Sequence, residues 1–183
     1  MTGVRPFLRQ TIADRDALRI ALERDLAALA AGVADEHARA RLLGRVGEAY
    51  RMLGDPDRAA PYLSEALLAA RHLGDEPGVA ANLIRLATAL QHGGEHPRAE
   101  SLFREALAFS GRPDCATYKD FALQHLGKCL VETGRIDEAI GCFEEALAAR
   151  LAKGDAALVA STEEALAAAR ALAGPPPEPG PPA

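Results

Sequence analysis

Arg51 to Asp75 reads RMLGDPDRAAPYLSEALLAARHLGD, Leu90 to Asp114 reads LQHGGEHPRAESLFREALAFSGRPD, and Leu130 to Asp155 reads LVETGRIDEAIGCFEEALAARLAKGD. Laid over one another, the three stretches share landmarks that return every 40 residues. Gly54, Gly94 and Gly134 coincide, as do Ala59, Ala99 and Ala139, then Leu63, Phe103 and Phe143. A Glu-Ala-Leu triplet follows each time, at 65–67, 105–107 and 145–147. A period in this range is the signature of stacked supersecondary units, each unable to bury its apolar face alone.

Upstream of each glycine a second set recurs: Leu43, Leu83 and Leu123; Val46, Leu86 and Leu126; Gly47, Ala87 and Gly127; Tyr50, Leu90 and Leu130. These positions stand at i, i+3, i+4 and i+7, one stripe of an α-helix. The downstream set Ala59, Leu63, Ala66 and Leu67 has the same period. Each unit is therefore predicted to be two amphipathic helices joined by a tight turn at the glycine, which can take the left-handed conformation that ends a helix. Asp55-Pro56 begins the next helix, with Asp as N-cap and Pro at the first helical position.

Composition agrees with an all-α protein. The sequence is 49% hydrophobic but only 4% aromatic, with no Trp, so its apolar content is mainly Ala and Leu, good helix formers and poor strand formers. Net charge is −5 and no basic block appears, which argues against a nucleic-acid partner, since phosphate neutralisation supplies most of that affinity. No run approaches the roughly 18 apolar residues of a membrane span, and Asp14, Arg15 and Asp16 stand where a signal peptide would need apolar residues. A soluble, cytoplasmic protein without membrane contact is expected. Cys115, Cys129 and Cys142 lack CxxC spacing and read as reduced, packed thiols.

At the repeated positions the sequence resembles the tetratricopeptide repeat family. The resemblance rests on the small residues Gly47/Ala87/Gly127 and Ala59/Ala99/Ala139, the large residue at Leu63/Phe103/Phe143, and Ala66, Ala106 and Ala146. The 40-residue spacing is similar to the extended repeats of kinesin light chains; the common form has 34, and the usual closing Pro is replaced by Arg71, Ser110 and Leu151. The implied fold is an all-α, right-handed solenoid of three helix hairpins, at about 35–73, 75–111 and 113–152. A helix at 11–31 precedes them and a capping helix at 155–173 follows. Within the first of these, Asp25 interrupts an otherwise apolar face. Residues 1–10 read as a flexible N-terminus and 174–183 (GPPPEPGPPA) as an extended, disordered tail.

Helical geometry also selects the face that the first helix of each unit turns away from its partner. In a stacked solenoid that face lines a concave groove, and the resemblance implies that the groove binds a peptide or partner protein. The candidate groove residues are Arg41, Arg45, Glu48 and Met52 in the first unit, Asn82, Arg85, Thr88 and Gln91 in the second, and Phe121, Gln124, His125 and Lys128 in the third. Arg45, Arg85 and His125 are spaced as a ladder, with Lys128 one turn further. Such a ladder suits an acidic segment or a free C-terminal carboxylate. The alternative is ordinary solvated helix charge, partly paired with Glu48 and Glu132. Family members that grip heat-shock protein C-termini use a Lys and Asn clamp, for which Gly44 and Glu48 are no substitute.

Catalytic and cofactor signatures are missing from the sequence. His92 and His96 are four apart but straddle Gly93-Gly94, so they share no helical face, and there is no HExxH, GxSxG, GxGxxG or phosphate loop. The expected function is a non-catalytic, cofactor-free adaptor. A regulatory or sensor subunit acting in trans and a self-assembling scaffold are the alternatives.

Overall fold

The computed structural model describes residues 6–9 and 14–173. Among them lie eight α-helices: α1 (Arg15–Ala31), α2 (Glu36–Met52), α3 (Pro56–His72), α4 (Glu76–His92), α5 (His96–Phe109), α6 (Lys119–Glu132), α7 (Ile136–Lys153) and α8 (Ala156–Ala173). A short 3-10 helix over Pro113–Tyr118 leads into α6. No strand occurs among the described residues. Each helix packs on its sequence neighbours, so the fold is an all-α solenoid of three hairpins, α2–α3, α4–α5 and α6–α7, flanked by α1 and α8.

Every hairpin closes in the same way. Gly54, Gly94 and Gly134 sit at φ 86°, 86° and 80°, a region costly for any residue with a Cβ. There the amides of Asp55, Glu95 and Arg135 donate to the carbonyls of Tyr50, Leu90 and Leu130 at 2.9, 2.8 and 2.9 Å, satisfying orphan helix C-terminal acceptors. Gly74 and Gly154 make the same left-handed stop between units. Restarts are capped by carboxylates: Asp35, Asp55 and Asp75 accept from the amides of His37, Arg58 and Gly78. The third unit departs from this scheme, because Gly111-Arg112-Pro113 and the 3-10 helix replace the glycine stop, and α6 is accordingly shortened to 14 residues.

The core is the repeat itself. Ala59, Leu63 and Ala66 of α3, Ala99, Phe103 and Ala106 of α5, and Ala139, Phe143 and Ala146 of α7 are all fully buried. Small residues opposite them are sterically required. A Cβ on Gly47 would lie 2.5 Å from Leu63 Cγ, and one on Gly127 would lie 2.6 Å from Phe143 Cε1. Burying each Phe or Leu contributes roughly 1.5–3 kcal/mol. Outside, ion pairs bridge successive units, Arg71 to Glu105 at 2.6 Å and Arg135 to Glu100 at 2.8 Å, each adding little because both partners see solvent.

The flanking segments refine the sequence reading. α1 starts at Arg15, where Asp14 caps it by accepting from the amide of Ala17 at 2.8 Å; Thr11 to Ala13 lie outside the described residues. Asp25 is 7% exposed and bonds Arg45 Nε at 2.8 Å, so the apparent flaw in the apolar face of α1 is the group that docks it on α2. α8 starts at Ala156, capped by Asp155. Residues 6–9, read from sequence within a flexible N-terminus, instead lie against α6 and α7, held by backbone hydrogen bonds and an aromatic contact. The Pro-rich stretch 174–183 and residues 1–5 and 10 lie outside the described residues.

Candidate functional site

α2, α4 and α6 line up as the inner wall, and α8 stands beside α6. Between them opens a cavity of about 640 Å³. Its floor is built from the last turns of α2 and α4 and the length of α6: Arg51, Gln91, His92, Phe121, Gln124, His125 and Lys128. Arg150 at the end of α7 and Leu158, Ser161 and Glu164 of α8 form the far side. Phe7, Leu8 and Arg9 form the rest of the lining.

Gln124 is the anomaly of this site. It is 2% exposed, and neither its Nε2 nor its Oε1 has a hydrogen-bond partner among the described residues. Leaving a buried polar group unpaired costs about 1–3 kcal/mol, and almost all buried amides in folded proteins avoid that penalty. The residue lines the cavity, and both of its amide atoms are shielded from solvent.

The charges around it are mostly committed elsewhere. Arg51 is held by Glu48, with Nε to Oε2 at 2.8 Å. Arg150 is held by Asp120 at 2.9 Å and Thr162 at 2.6 Å, and its guanidinium sits 5.4 Å from the ring of Phe121. Burial lowers the pKa of His92 to about 4, reinforced by Arg9, Arg51 and Lys128. Burial pushes His125 well below its usual value too, and its ring stacks on Phe103 at 6.1 Å. Both imidazoles are neutral at pH 7. Lys128, its pKa lowered chiefly by burial, spends its ammonium on the carbonyl of Leu8 at 2.8 Å.

The N-terminal segment is seated by its backbone and one ring. Phe7 N–H donates to Glu132 Oε1 at 2.9 Å, while the other oxygen of Glu132 meets His96 Nε2 at 2.9 Å. The Phe7 ring stacks on Phe143 with centroids 6.2 Å apart; the lack of a Cβ at Gly127 brings Phe143 close to α6. Arg9 comes within 3.9 Å of Glu132. Leu8 adopts φ 41°, a region that bulky residues rarely take.

Of the twelve residues chosen from sequence, the cavity gathers Gln91, Phe121, Gln124, His125 and Lys128. The remaining seven do not line it. Arg41 lies 3.9 Å from Asp35 at the start of its own helix. Glu48 serves Arg51. Thr88 bonds back to the carbonyl of Ile84 at 2.8 Å. Asn82 and Arg85 cross to α2 where Gly44 leaves room: a Cβ there would meet Asn82 Oδ1 at 2.9 Å. Met52 is half-buried at the end of α2. Arg45, Arg85 and His125 therefore do not converge as a basic ladder. Arg45 is drawn to Asp25 of α1, Arg85 stays beside Asn82, and His125 alone faces the cavity, uncharged. Arg51 and His92 share the predicted inner faces and could have been chosen. Residues 7–9 carry no periodic signal, and Arg150 and the α8 side chains, on helices that the sequence did indicate, enter the site through tertiary packing alone.

Other chemistry is sparse. All three cysteines are free, and burial raises their thiol pKa, that of Cys129 to about 12. No cluster of three or more metal-ligating groups, and no helix long and apolar enough to cross a membrane, occurs among the described residues.

Comparison with known proteins places this geometry in context. Among curated proteins no relative matches. Among solved structures, the apo form of RapI matches with a TM-score of 0.72 at 19% identity, over 86% of this protein and 44% of that one. A Rap protein complexed with Competence and Sporulation Factor matches with a TM-score of 0.69 at 18% identity, over 86% and 50%. The sequence thus spans about half the length of these Rap proteins. The kinesin light chain nearly identical TPR-like repeats of Podosopora anserina match with a TM-score of 0.62 at 19% identity, over 87% and 78%. These likenesses are of fold. Tetratricopeptide repeat models match residues 38–110 and 122–157, together more than half of the sequence and coincident with the three hairpins. This protein belongs to the tetratricopeptide repeat family.

Proposed function

We propose that this protein is a non-catalytic interaction scaffold whose inner wall holds an extended segment of a partner protein. The observation that carries the reading is Gln124, a buried amide with two unmet hydrogen bonds, lining a concave cavity beside a lysine that already grips a backbone carbonyl. A peptide backbone offers both a donor and an acceptor, which is what Gln124 lacks. The similar Rap fold in complex with Competence and Sporulation Factor supports a solenoid of this kind receiving a partner. Affinity on the order of micromolar is expected, since an extended segment loses conformational freedom on docking.

An acidic partner, or one ending in a carboxylate, would meet Lys128 at the cavity rather than Arg45, whose charge is paired with Asp25, or Arg85, which does not line it. The neutral histidines give such a carboxylate no further help.

The test is selection from a displayed peptide library on the wild-type protein, followed by measurement on variants. Clones should lose binding roughly tenfold or more on Gln124→Leu or Lys128→Ala and keep it on the outer-face control Arg98→Ala. Equal loss on the control, or none on the groove variants, would refute the site.

A further inference from the structure

Part of the cavity's wall is the protein's own N-terminal segment, and the way that segment is seated on α6 and α7 describes a partner. Phe7 and Leu8 occupy the groove through contacts that any peptide with an aromatic and an aliphatic residue can reproduce. One backbone N–H donates to Glu132, one backbone carbonyl accepts from Lys128, and one ring lies on Phe143. Both side chains also pack against the buried apolar core, so the groove reads a backbone and an aromatic–aliphatic pair.

Yet the segment is an imperfect occupant. It leaves both amide atoms of Gln124 unpaired. It places Leu8 at φ 41°, a conformation that a bulky L-residue holds only under constraint from its surroundings. A segment that seats the same ring without this backbone strain, and that also pairs with Gln124, binds better than the one in place.

We infer that the partner of this groove is an extended peptide segment bearing an aromatic–aliphatic pair, and that it binds by displacing Phe7 and Leu8 of the protein's own N-terminal segment. The inference rests on the groove reading above and specifies its ligand. The N-terminal segment then sets a threshold: a partner's apparent affinity is reduced by the fraction of molecules in which the groove is open. Weak or incomplete mimics are excluded, and partners that meet Gln124 are admitted.

The experiment uses the full-length protein and a labelled synthetic peptide of its residues 1–13 as probe. The double variant Phe7→Ala/Leu8→Ala removes the ring from Phe143 and the aliphatic side chain from the core, and so loosens the segment without touching α2, α4, α6 or α8. Fluorescence anisotropy should show the probe binding this variant at least tenfold more tightly than wild type, and Lys128→Ala in the same background should abolish binding. In parallel, Phe7→Trp introduces a single Trp into a sequence that has none. Its emission should be blue-shifted when seated and should move to longer wavelength only once unlabelled probe is in large excess.

Equal binding to wild type and double variant, lost on Lys128→Ala, would overturn displacement while leaving the groove reading intact. No binding to either would overturn the proposed partner chemistry, and the library selection would still judge the groove. Tight binding indifferent to Lys128→Ala would place the peptide elsewhere and remove both. Sedimentation must show one species at all concentrations; a wild-type dimer lost in the double variant would mean that the segment docks on a second copy, and would overturn the self-displacement.

Discussion

At the scale of single residues, two positions show how packing and function pull in different directions. Gly127 is needed for close approach: a Cβ there would lie 2.6 Å from Phe143 Cε1, in a fully buried layer that cannot yield cheaply. Gly127→Ala should destabilise the protein by about 1–3 kcal/mol through overpacking. Adding Phe143→Leu should recover part of the loss, since it withdraws the colliding ring; a double-mutant cycle by urea unfolding measures the coupling. Gln124 is the opposite case. Replacing it with Met keeps the volume and removes two unsatisfied atoms, so Gln124→Met should raise stability by about 1 kcal/mol while weakening ligand capture. A destabilised Gln124→Met would mean that the amide is satisfied in the folded protein and that the site has been misread.

At the scale of elements, the hairpins are held by apolar repeats, whereas the C-terminal pair is locked by a buried ionic knot. Asp120 of α6 is fully buried and takes Arg150 Nε at 2.9 Å together with the Lys153 ammonium. Arg150 in turn donates to Leu158 O at 3.1 Å and Thr162 Oγ1 at 2.6 Å. One guanidinium thus ties α6, α7 and α8 together and sets the far wall of the cavity. Asp120→Ala would strand a buried guanidinium, with a cost of about 3–5 kcal/mol. Removing both charges by Asp120→Leu with Arg150→Met should restore most of that stability, because the desolvation penalty disappears along with the attraction. Thermal denaturation of the single and double variants decides the point. α8 is therefore more than a cap: it closes one end of the repeat array and also supplies Leu158, Ser161 and Glu164 to the site.

At the scale of the whole molecule, the groove should make the protein sensitive to acid. Folded His92 titrates at about 4, well below the ordinary 6.5, and His125 is displaced in the same direction. The folded state therefore binds fewer protons than the unfolded state between these values. Stability is fully present above about pH 6.5 and is lost as pH falls toward 4. The midpoint of thermal unfolding should drop by about 5 °C between pH 7 and pH 4.5. The drop should be smaller in His92→Gln/His125→Gln. Carboxylates titrate near the lower end of this window, so it is the difference between wild type and the double variant that isolates the histidines. An identical pH profile in both proteins would show that the imidazoles are solvated and that the groove is wetter than its burial implies.

The amino-acid sequence on its own determined the architecture. Helix period, turn glycines, capping aspartates and alternation of small with large residues are local or nearest-neighbour constraints, and they recur in register at Gly54, Gly94 and Gly134 and at Leu63, Phe103 and Phe143. It also indicated the inner face of α6, because a single helix's geometry fixes which side is left over once the core side is assigned. Tertiary structure alone decided what that face carries. Arg45 looked available until α1 brought Asp25 to it, and His125 looked basic until burial, reinforced by Lys128 and the neighbouring cations, held it neutral. Residues 7–9 showed no period at all, yet they reach Glu132 and Lys128 across more than a hundred positions. Burial, charge pairing and long-range docking are properties of what surrounds a residue, and for these residues the surroundings come from segments distant in sequence.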